Sequence, residues 1–389
     1  MDALDRMKIG ILTTGYPHAH DPVSGAFVRA MARAFAARGH RIGVLCAERP
    51  NDAAVHDDEI DVVSIRYLPR FAAHGTFHDE GAPARLKRGD PFAWLGAASF
   101  PVAAARAART VFADADALVS HFVLPCAPIA SLVRNGRPHL AIAHGTDARL
   151  FARMPALVQR RVLEGCTALR VTHGSLRNAL AANVRNDARV MVGPMGWSVR
   201  SASHDEVAAC RARWLDSNGS VLVVAVARLV TEKGIDVLAR AAQSLPSHVR
   251  VVVAGDGPER TRIEALAAGR IAFAGALEPD ARDVLLRSAE VCAVPSRAND
   301  NAPVAMLEAM GAARAVLASD LAGLRELGGD AVRYVPSEDA PSLARAITEL
   351  ASNAPLRAEL GSRAATRAAR WEWRALAEEL ERTLTPRGT

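Results

Sequence analysis

Short β-branched runs alternate with helically spaced apolar residues along most of the chain. The run "MKIGILTTGYP" (7–17) predicts a buried strand ending in a Gly/Pro exit loop. In "SGAFVRAMARAFAARGH" (24–40), Phe27, Met31, Ala34 and Phe35 recur at helical spacing, and Gly39 supplies a stop. "RIGVLCAE" (41–48) predicts the next strand. A strand, a helix and a strand in that order imply parallel pairing, because the crossover must return the chain to the same edge. The cycle continues through "IDVVSIRYL" (60–68), "ADALVSHF" (115–122) and "HLAIAHG" (139–145).

The pattern lapses and then restarts. "VRNDARVMVGPMGWSV" (184–199) reads as the last strand of the first half and a turn. The polar stretch 200–220 reads as a link. A second cycle opens with the strand "SVLVVAVARL" (220–229), the helix "GIDVLARAAQSL" (234–245) and the strand and turn "VRVVVAGDGP" (249–258). "RIAFAGAL", "EVCAVPS" and "RAVLASD" are further strands. The expected architecture is α/β: two doubly wound parallel-sheet domains in tandem, 1–199 and 200–370, with a cleft between them. The amphipathic helix "WEWRALAEELERTL" (371–384) begins a last segment, 371–389, suited to closing either domain. Ligands of open α/β sheets sit at the carboxyl ends of the strands. That is where chemistry is to be sought.

A length of 389 residues with 50% hydrophobic content suits two cores. Five scattered cysteines, with no C-x-x-C pair, argue against a disulfide framework and a zinc site and favour a reducing compartment. The acidic start and short apolar run read as no signal peptide, and no stretch approaches the roughly 20 apolar residues of a membrane span. A cytoplasmic protein is expected. The net charge of +6 suits phosphorylated ligands, nucleic acid or an anionic surface, but first of all an arginine-rich proteome. The only lysines are Lys8, Lys87 and Lys233, which makes Lys233 notable in a chain that otherwise uses arginine.

Six strand ends carry candidate chemistry. "GYPHAHDPVSGAF" (15–27) is a loop with Gly15 and Gly25 opening a helix, either an anion-approachable backbone or an ordinary βα loop. In "ARLVTEKGIDVL" (227–238), Arg228 and Lys233 follow a strand and precede a helix, in reach of a phosphate pair or simply solvated. His144 in "AHGTD" and His121 in "SHF" end neighbouring strands, and His173 in "VTHGS" ends another; hydrogen-bonding roles fit their spacing better than metal ligation. "SRANDNAPVAMLEAMG" (296–311) holds Asp300 and Glu308. Pro303 suits the first turn of a helix, with Asp300 or Asn301 as cap and Val304, Leu307 and Met310 as its buried stripe. Glu308 borders the packed side, a costly position for a carboxylate without donors. A ribose diol or a neighbouring arginine would each supply them. The free amides of residues 301–304 suit a diphosphate or sugar hydroxyls.

Together these pieces resemble the retaining glycosyltransferases of family 4, which adopt the GT-B fold. "VARLVTEKGIDVL", "VAGDGPER", "AVPS", "LEAMGAARAVLASDLAGLREL" and "VPSEDAPSLARAITEL" stand in that family's order and spacing. The first half, with "GYP…SGAFV", "RGHRIGVL", "SHFVLPCAPIA" and "AHGTD", is similar to members that build bacterial exopolysaccharides and O-antigens. The resemblance implies that Arg228 and Lys233 bind a donor diphosphate and that Glu308 binds the nucleotide ribose. It implies that Asp300 faces the donor sugar, and that the backbone around Asn301, Ala302, Pro303 and Val304 holds sugar hydroxyls and phosphate. Gly25 would lie near the phosphates and His144 would touch the donor sugar. No metal or other cofactor is implied, only a UDP- or GDP-type sugar donor. The chain departs from the pattern in having Asp at the first acidic position, Ala227 before the arginine, and Ala312-Ala313-Arg314 before the next strand.

The reaction so implied moves a sugar to an acceptor hydroxyl with retention, in cell-surface polysaccharide or glycoconjugate synthesis. The alternatives are a nucleotide-sugar-binding protein with little catalysis and a GT-B sugar-nucleotide 2-epimerase. Partners would be the donor and a sugar or lipid-linked sugar acceptor, with no nucleic acid. "ARLKRGDPFAWLG" (84–96) mixes cations with Phe92, Trp94 and Leu95. It reads either as a loop with a partly buried aromatic or as a peripheral contact with the inner face of a membrane.

Overall fold

A computed structural model describes residues 6–385 except 19–23, 50–56, 70–75, 78–81, 216–219 and 298–302. The chain divides into two compact units, Met1–Gly196 with Trp373–Thr389, and Trp197–Glu372.

The first unit is built on seven strands: β1 (Lys8–Leu12), β2 (Arg41–Ala47), β3 (Ile60–Ile65), β4 (Ala117–His121), β5 (His139–Ala143), β6 (Ala168–Val171) and β7 (Val190–Val192). All pair in parallel, in the order β3-β2-β1-β4-β5-β6-β7. The second unit has six: β8 (Val221–Val226), β9 (Val249–Ala254), β10 (Ile271–Gly275), β11 (Val291–Val294), β12 (Ala315–Ser319) and β13 (Arg333–Val335). They run in parallel in the order β10-β9-β8-β11-β12-β13. Both sheets are doubly wound.

The period of two explains why the strands read as continuous apolar runs. In β8, Val221, Val223 and Ala225 enter one core layer, whereas Leu222 and Val224 enter the layer on the opposite face. In β1, Ile9 and Ile11 face one layer and Leu12 the other. A parallel sheet covered on both faces favours apolar residues on both sides of each strand.

Each sheet reverses its strand order once. In the first, the chain winds outward from β1 to β3 and then returns to lay β4 beside β1; in the second, β11 is laid beside β8. At such a switch point the loops leaving two adjacent strands part in opposite directions and open a crevice.

Two expectations need correction, and one strand escaped the sequence reading. Residues 200–220 are not an irregular link, because His204–Trp214 is a helix. Ser203 accepts a hydrogen bond from Glu206 N at 3.2 Å, and Glu206 Oε2 accepts from Ser203 N at 2.8 Å. This reciprocal cap was readable as Ser-x-x-Glu. Strand β13 lies in "AVRYV", a stretch too short and mixed to reveal its period. The region 84–96 is not a loop: Asp90 Oδ1 accepts from Phe92 N and Ala93 N and starts a helix over Pro91–Val111, on which Trp94 is 59% exposed rather than partly buried.

Candidate functional site

In the second unit, the loop leaving β8 is locked into place by glycines on its neighbours. Gly255 and Gly257, both at positive φ, lie against the carbonyls of Ala227 and Leu229, where a Cβ would approach to 1.9 and 2.5 Å. Leu229 N donates to Asp256 O at 2.8 Å. Beyond it, Thr231–Lys233 forms a single 3-10 turn, and Gly234 takes φ 63° to start the Ile235–Ala242 helix. A Cβ on Gly234 would meet Pro295 O at 2.0 Å, so only glycine permits this turn to touch the β11 exit.

The turn carries the predicted cations. Arg228 is exposed, and Lys233 is half-buried. Both leave the carboxyl end of β8, beside β11, at the switch point.

The Val304–Gly311 helix follows the β11 exit. Pro303 occupies its cap with φ −67° and ψ 127°, instead of lying in the first turn, and no side chain caps the helix there. Asp300, Asn301 and Ala302 lie outside the described residues. The helix is enclosed rather than striped: Met306, Leu307, Glu308, Ala309 and Met310 are all buried, whereas Val304 is only half-buried.

Glu308 is 6% exposed. Its Oε1 lies 3.1 Å from Arg282 Nη2, and Arg282 also donates to Asp283 Oδ1 at 2.8 Å. Burial pushes the Glu308 carboxyl up to about 7; Arg282 opposes the shift and Asp283 adds to it. The arginine partner anticipated for a core helix is thus present. A shared cation does not fully compensate burial, and the carboxyl retains spare acceptor capacity.

In the first unit the switch point lies between β1 and β4. Gly25 caps the Ala26–Ala36 helix at φ 73° and packs on the loop leaving β1, where a Cβ would come within 2.5 Å of Gly15 O. His121, at the end of β4, and His144, beyond β5, stack with ring centroids 5.3 Å apart and 10° between planes. His121 Nδ1 and His144 Nε2 share a hydrogen bond at 3.1 Å, so one ring donates to the other. Burial holds both well below the usual histidine range, and the neighbouring His144 adds to the effect on His121. Phe27 and Phe122 flank His144 at 4.6 and 4.9 Å. Phe122 itself has φ 65°, a strained value for a bulky residue.

Asp147 anchors this corner. Its Oδ1 accepts from His144 N at 2.9 Å and its Oδ2 from Val123 N at 2.7 Å. Burial raises its carboxyl to about 6, although the backbone donors oppose the rise. His173 stands apart at the end of β6, with Nδ1 2.6 Å from Ser175 Oγ.

Arg228, Lys233, Pro303, Val304 and Glu308 thus lie in the second unit, and Gly25 and His144 in the first. Sequence reading overlooked Asp147, Arg282, Asp236 and Arg297. An acidic residue three positions after a strand-end histidine was the one signal for Asp147; the arginines carried none.

Residues 220–353 match the family model "Glycosyl transferases group 1". This stretch is similar to the group 1 glycosyltransferase domain. It contains both cations of the β8 exit and the whole Val304–Gly311 helix. The chain is 25% identical over 364 residues to the putative teichuronic acid biosynthesis glycosyltransferase TuaC of Bacillus subtilis, covering 88% of each protein. It is 32% identical over 157 residues to the phosphatidyl-myo-inositol mannosyltransferase of Mycolicibacterium smegmatis, a match spanning 39% of this chain and 41% of that protein. Among solved structures, HepE of Anabaena in complex with UDP-glucose superimposes with a TM-score of 0.68 at 16% identity, covering 97% of this chain and 99% of that one. The fold is GT-B, two Rossmann-like units.

Proposed function

We propose that the chain is a retaining glycosyltransferase that moves a sugar from a nucleotide-diphosphate sugar to an acceptor hydroxyl. The observation that carries this reading is the β8 exit of the group 1 domain, where Arg228 and Lys233 project beside the β11 exit at the switch point. A nucleoside diphosphate leaves with two negative charges or more. Fixed cations and the amides of a helix N-terminus stabilise that charge without reorganising as it develops. HepE, of the same fold, has been solved with UDP-glucose, which supports a nucleotide sugar as donor.

Arg228 forks onto the diphosphate and Lys233 holds it as a point charge. The amides at Val304 and the backbone before it meet phosphate and sugar hydroxyls. Glu308 accepts from the ribose diol, and Asp300 faces the sugar. In the first unit, His144, held neutral, is the candidate for a hydrogen bond to a donor sugar, and Gly25 for a close backbone approach to phosphate. The acceptor oxygen bonds to the anomeric carbon on the face from which the diphosphate departs, and its proton passes to the departing phosphate oxygen. That route requires no carboxylate nucleophile, metal or other cofactor.

TuaC's description as a teichuronic acid glycosyltransferase supports a role in cell-surface polymer synthesis. The Pro91–Val111 helix supports a lipid-linked acceptor. It has no acidic residue, and its outer face exposes Trp94, Leu95 (45%) and Val102 (72%), with Lys87 and Arg88 before it and Arg106 and Arg109 near its end. An apolar face between cations suits the surface of an anionic bilayer. Among the described residues no helix is long and apolar enough to cross a membrane. The protein so read works on the cytoplasmic side, in peripheral contact with the inner membrane.

The deciding experiment is a donor panel of UDP- and GDP-sugars with product detection by mass spectrometry. Transfer with retention is expected from wild-type protein, and Lys233→Ala is expected to lose at least about 100-fold in kcat/KM while its melting curve is unchanged. Full activity in that variant would remove Lys233 from the chemistry. Binding without turnover would favour a nucleotide-sugar receptor, and donor conversion without acceptor an epimerase.

A further inference from the structure

We propose that Arg297, working with Asp236, is a positioning residue that sets the Lys233 turn relative to the β11 exit and so shapes the diphosphate site. The proposal rests on the donor reading given above.

Arg297 is the third residue beyond β11, and its guanidinium joins separate loops. Nη1 donates to Asp236 Oδ1 at 2.7 Å and Nη2 to Asp236 Oδ2 at 2.8 Å, a fork-to-fork pair. Nη1 also donates to Thr231 O at 2.7 Å, and Nε donates to Glu338 Oε1 at 2.6 Å. The backbone closes the joint, since Arg297 N donates to Glu232 O at 2.8 Å. One side chain therefore grips the turn carrying Lys233, the first turn of the helix after it, and the loop beyond β13.

Each part of the joint has little freedom. Asp236 is 3% exposed and lies in the first turn of the Ile235–Ala242 helix, where the helix dipole favours a negative charge. Burial works against its charged form, but the bond from Arg297 and the charges of Arg297, Arg240 and Arg262 prevail, leaving its carboxyl below the usual range. Gly234 lies against Pro295 O on the other side of the turn. The turn cannot move without breaking a buried ion pair, and the β11 exit cannot move without carrying the turn.

The chemistry explains why such a joint matters. Lys233 is a point charge at the end of a long side chain, and the β11 exit precedes a helix N-terminus. Both act on one anion only if their separation is held to within about half an ångström. The Arg297 guanidinium is engaged by Asp236, Thr231 and Glu338, so it acts through the turn. Lysine at 297 would keep the charge but lose the fork, so it could not hold Asp236 and Thr231 together.

The test is a double-mutant cycle on nucleotide affinity, with UDP and GDP titrated calorimetrically into full-length protein. Arg297→Lys is expected to weaken nucleotide binding about tenfold and to raise donor KM more than it lowers kcat, with the melting temperature little changed. In a Lys233→Ala background, Arg297→Lys is expected to have almost no further effect, because there is no lysine left to position. Additive losses in the double variant overturn the proposal, as does unchanged affinity in Arg297→Lys alone. Should Arg297→Lys fold poorly, Asp236→Asn takes its place in the same cycle with the same criteria. Wild-type protein that binds neither UDP nor GDP overturns the donor reading and this proposal together. Wild-type binding with an additive cycle overturns the positioning role alone.

Discussion

Glu308 is the residue at which the sequence came closest to a mechanism, and at which packing added what spacing could not show. Its seven-residue separation from Asp300 suggested a pair of acidic roles. Its enclosure, its single cation at 3.1 Å and its carboxyl near 7 are tertiary facts. They have a consequence for stability. A carboxyl whose folded pKa is raised holds its proton more tightly in the folded state, so stability falls as pH rises from about 4.5 to about 7. A rise of that size corresponds to about 3 kcal/mol. Glu308→Gln lacks this titration. The melting-temperature advantage of wild-type over Glu308→Gln is therefore expected to shrink between pH 5 and pH 8, and a pH-independent difference would refute the raised carboxyl. If the ionised form also accepts from ribose, UDP affinity in wild-type protein is expected to rise through pH 7, and this slope is expected to vanish in Glu308→Gln.

Elements were legible wherever their periodicity ran long enough. The strands of "SVLVVAVARL" and "VRVVVAGDGP" stand where their β-branched runs predict, because both faces of a parallel strand are buried and the run betrays it. The 200–220 segment hid a helix because His204–Trp214 buries none of its residues, so it has no apolar face to read. Its half-buried Cys210 and Trp214 pack against the core, and Ser203 caps its first turn. Ser203→Ala is expected to cost about 1 kcal/mol, measured by urea denaturation. The 84–96 stretch, read as a loop or a membrane contact, likewise hid the start of the Pro91–Val111 helix, whose outer apolar residues lie in solvent. Trp94→Ser with Leu95→Ser is expected to reduce co-sedimentation with phosphatidylglycerol vesicles severalfold without lowering stability. Reversing Arg85 would be a poor substitute, because that side chain is buried and bonded to Asp90 at 2.8 Å.

At the scale of the molecule, the last helix belongs to the first unit. Trp373, Leu376, Ala377, Leu380 and Leu384 enter the same core cluster as Ile9, Ile11 and Phe35. Glu381 is buried there, accepting from Arg38 Nε at 2.6 Å, with His40 Nε2 at 2.5 Å. At about 1.5–3 kcal/mol for each large apolar side chain, the helix contributes on the order of 10 kcal/mol. That is comparable with the whole stability of a domain. Truncation after Glu372 is expected to unfold the first unit, seen as loss of one calorimetric transition. The second unit, one continuous segment from Trp197 to Glu372, is expected to keep its own cooperative melt.

The sequence by itself determined the α/β alternation, the parallel pairing and the strand ends at which cations and histidines stand. These follow from local periodicity and from glycines that one backbone conformation demands. Tertiary structure alone decided that Arg297 and Asp236, 61 residues apart, share one ion pair, and that His121 bonds His144. It alone enclosed Glu308 and brought the last helix to the first core. Local pattern records how each residue meets its chain neighbours. A buried charge and its partner are chosen by strand order, and strand order is set by the folded sheet.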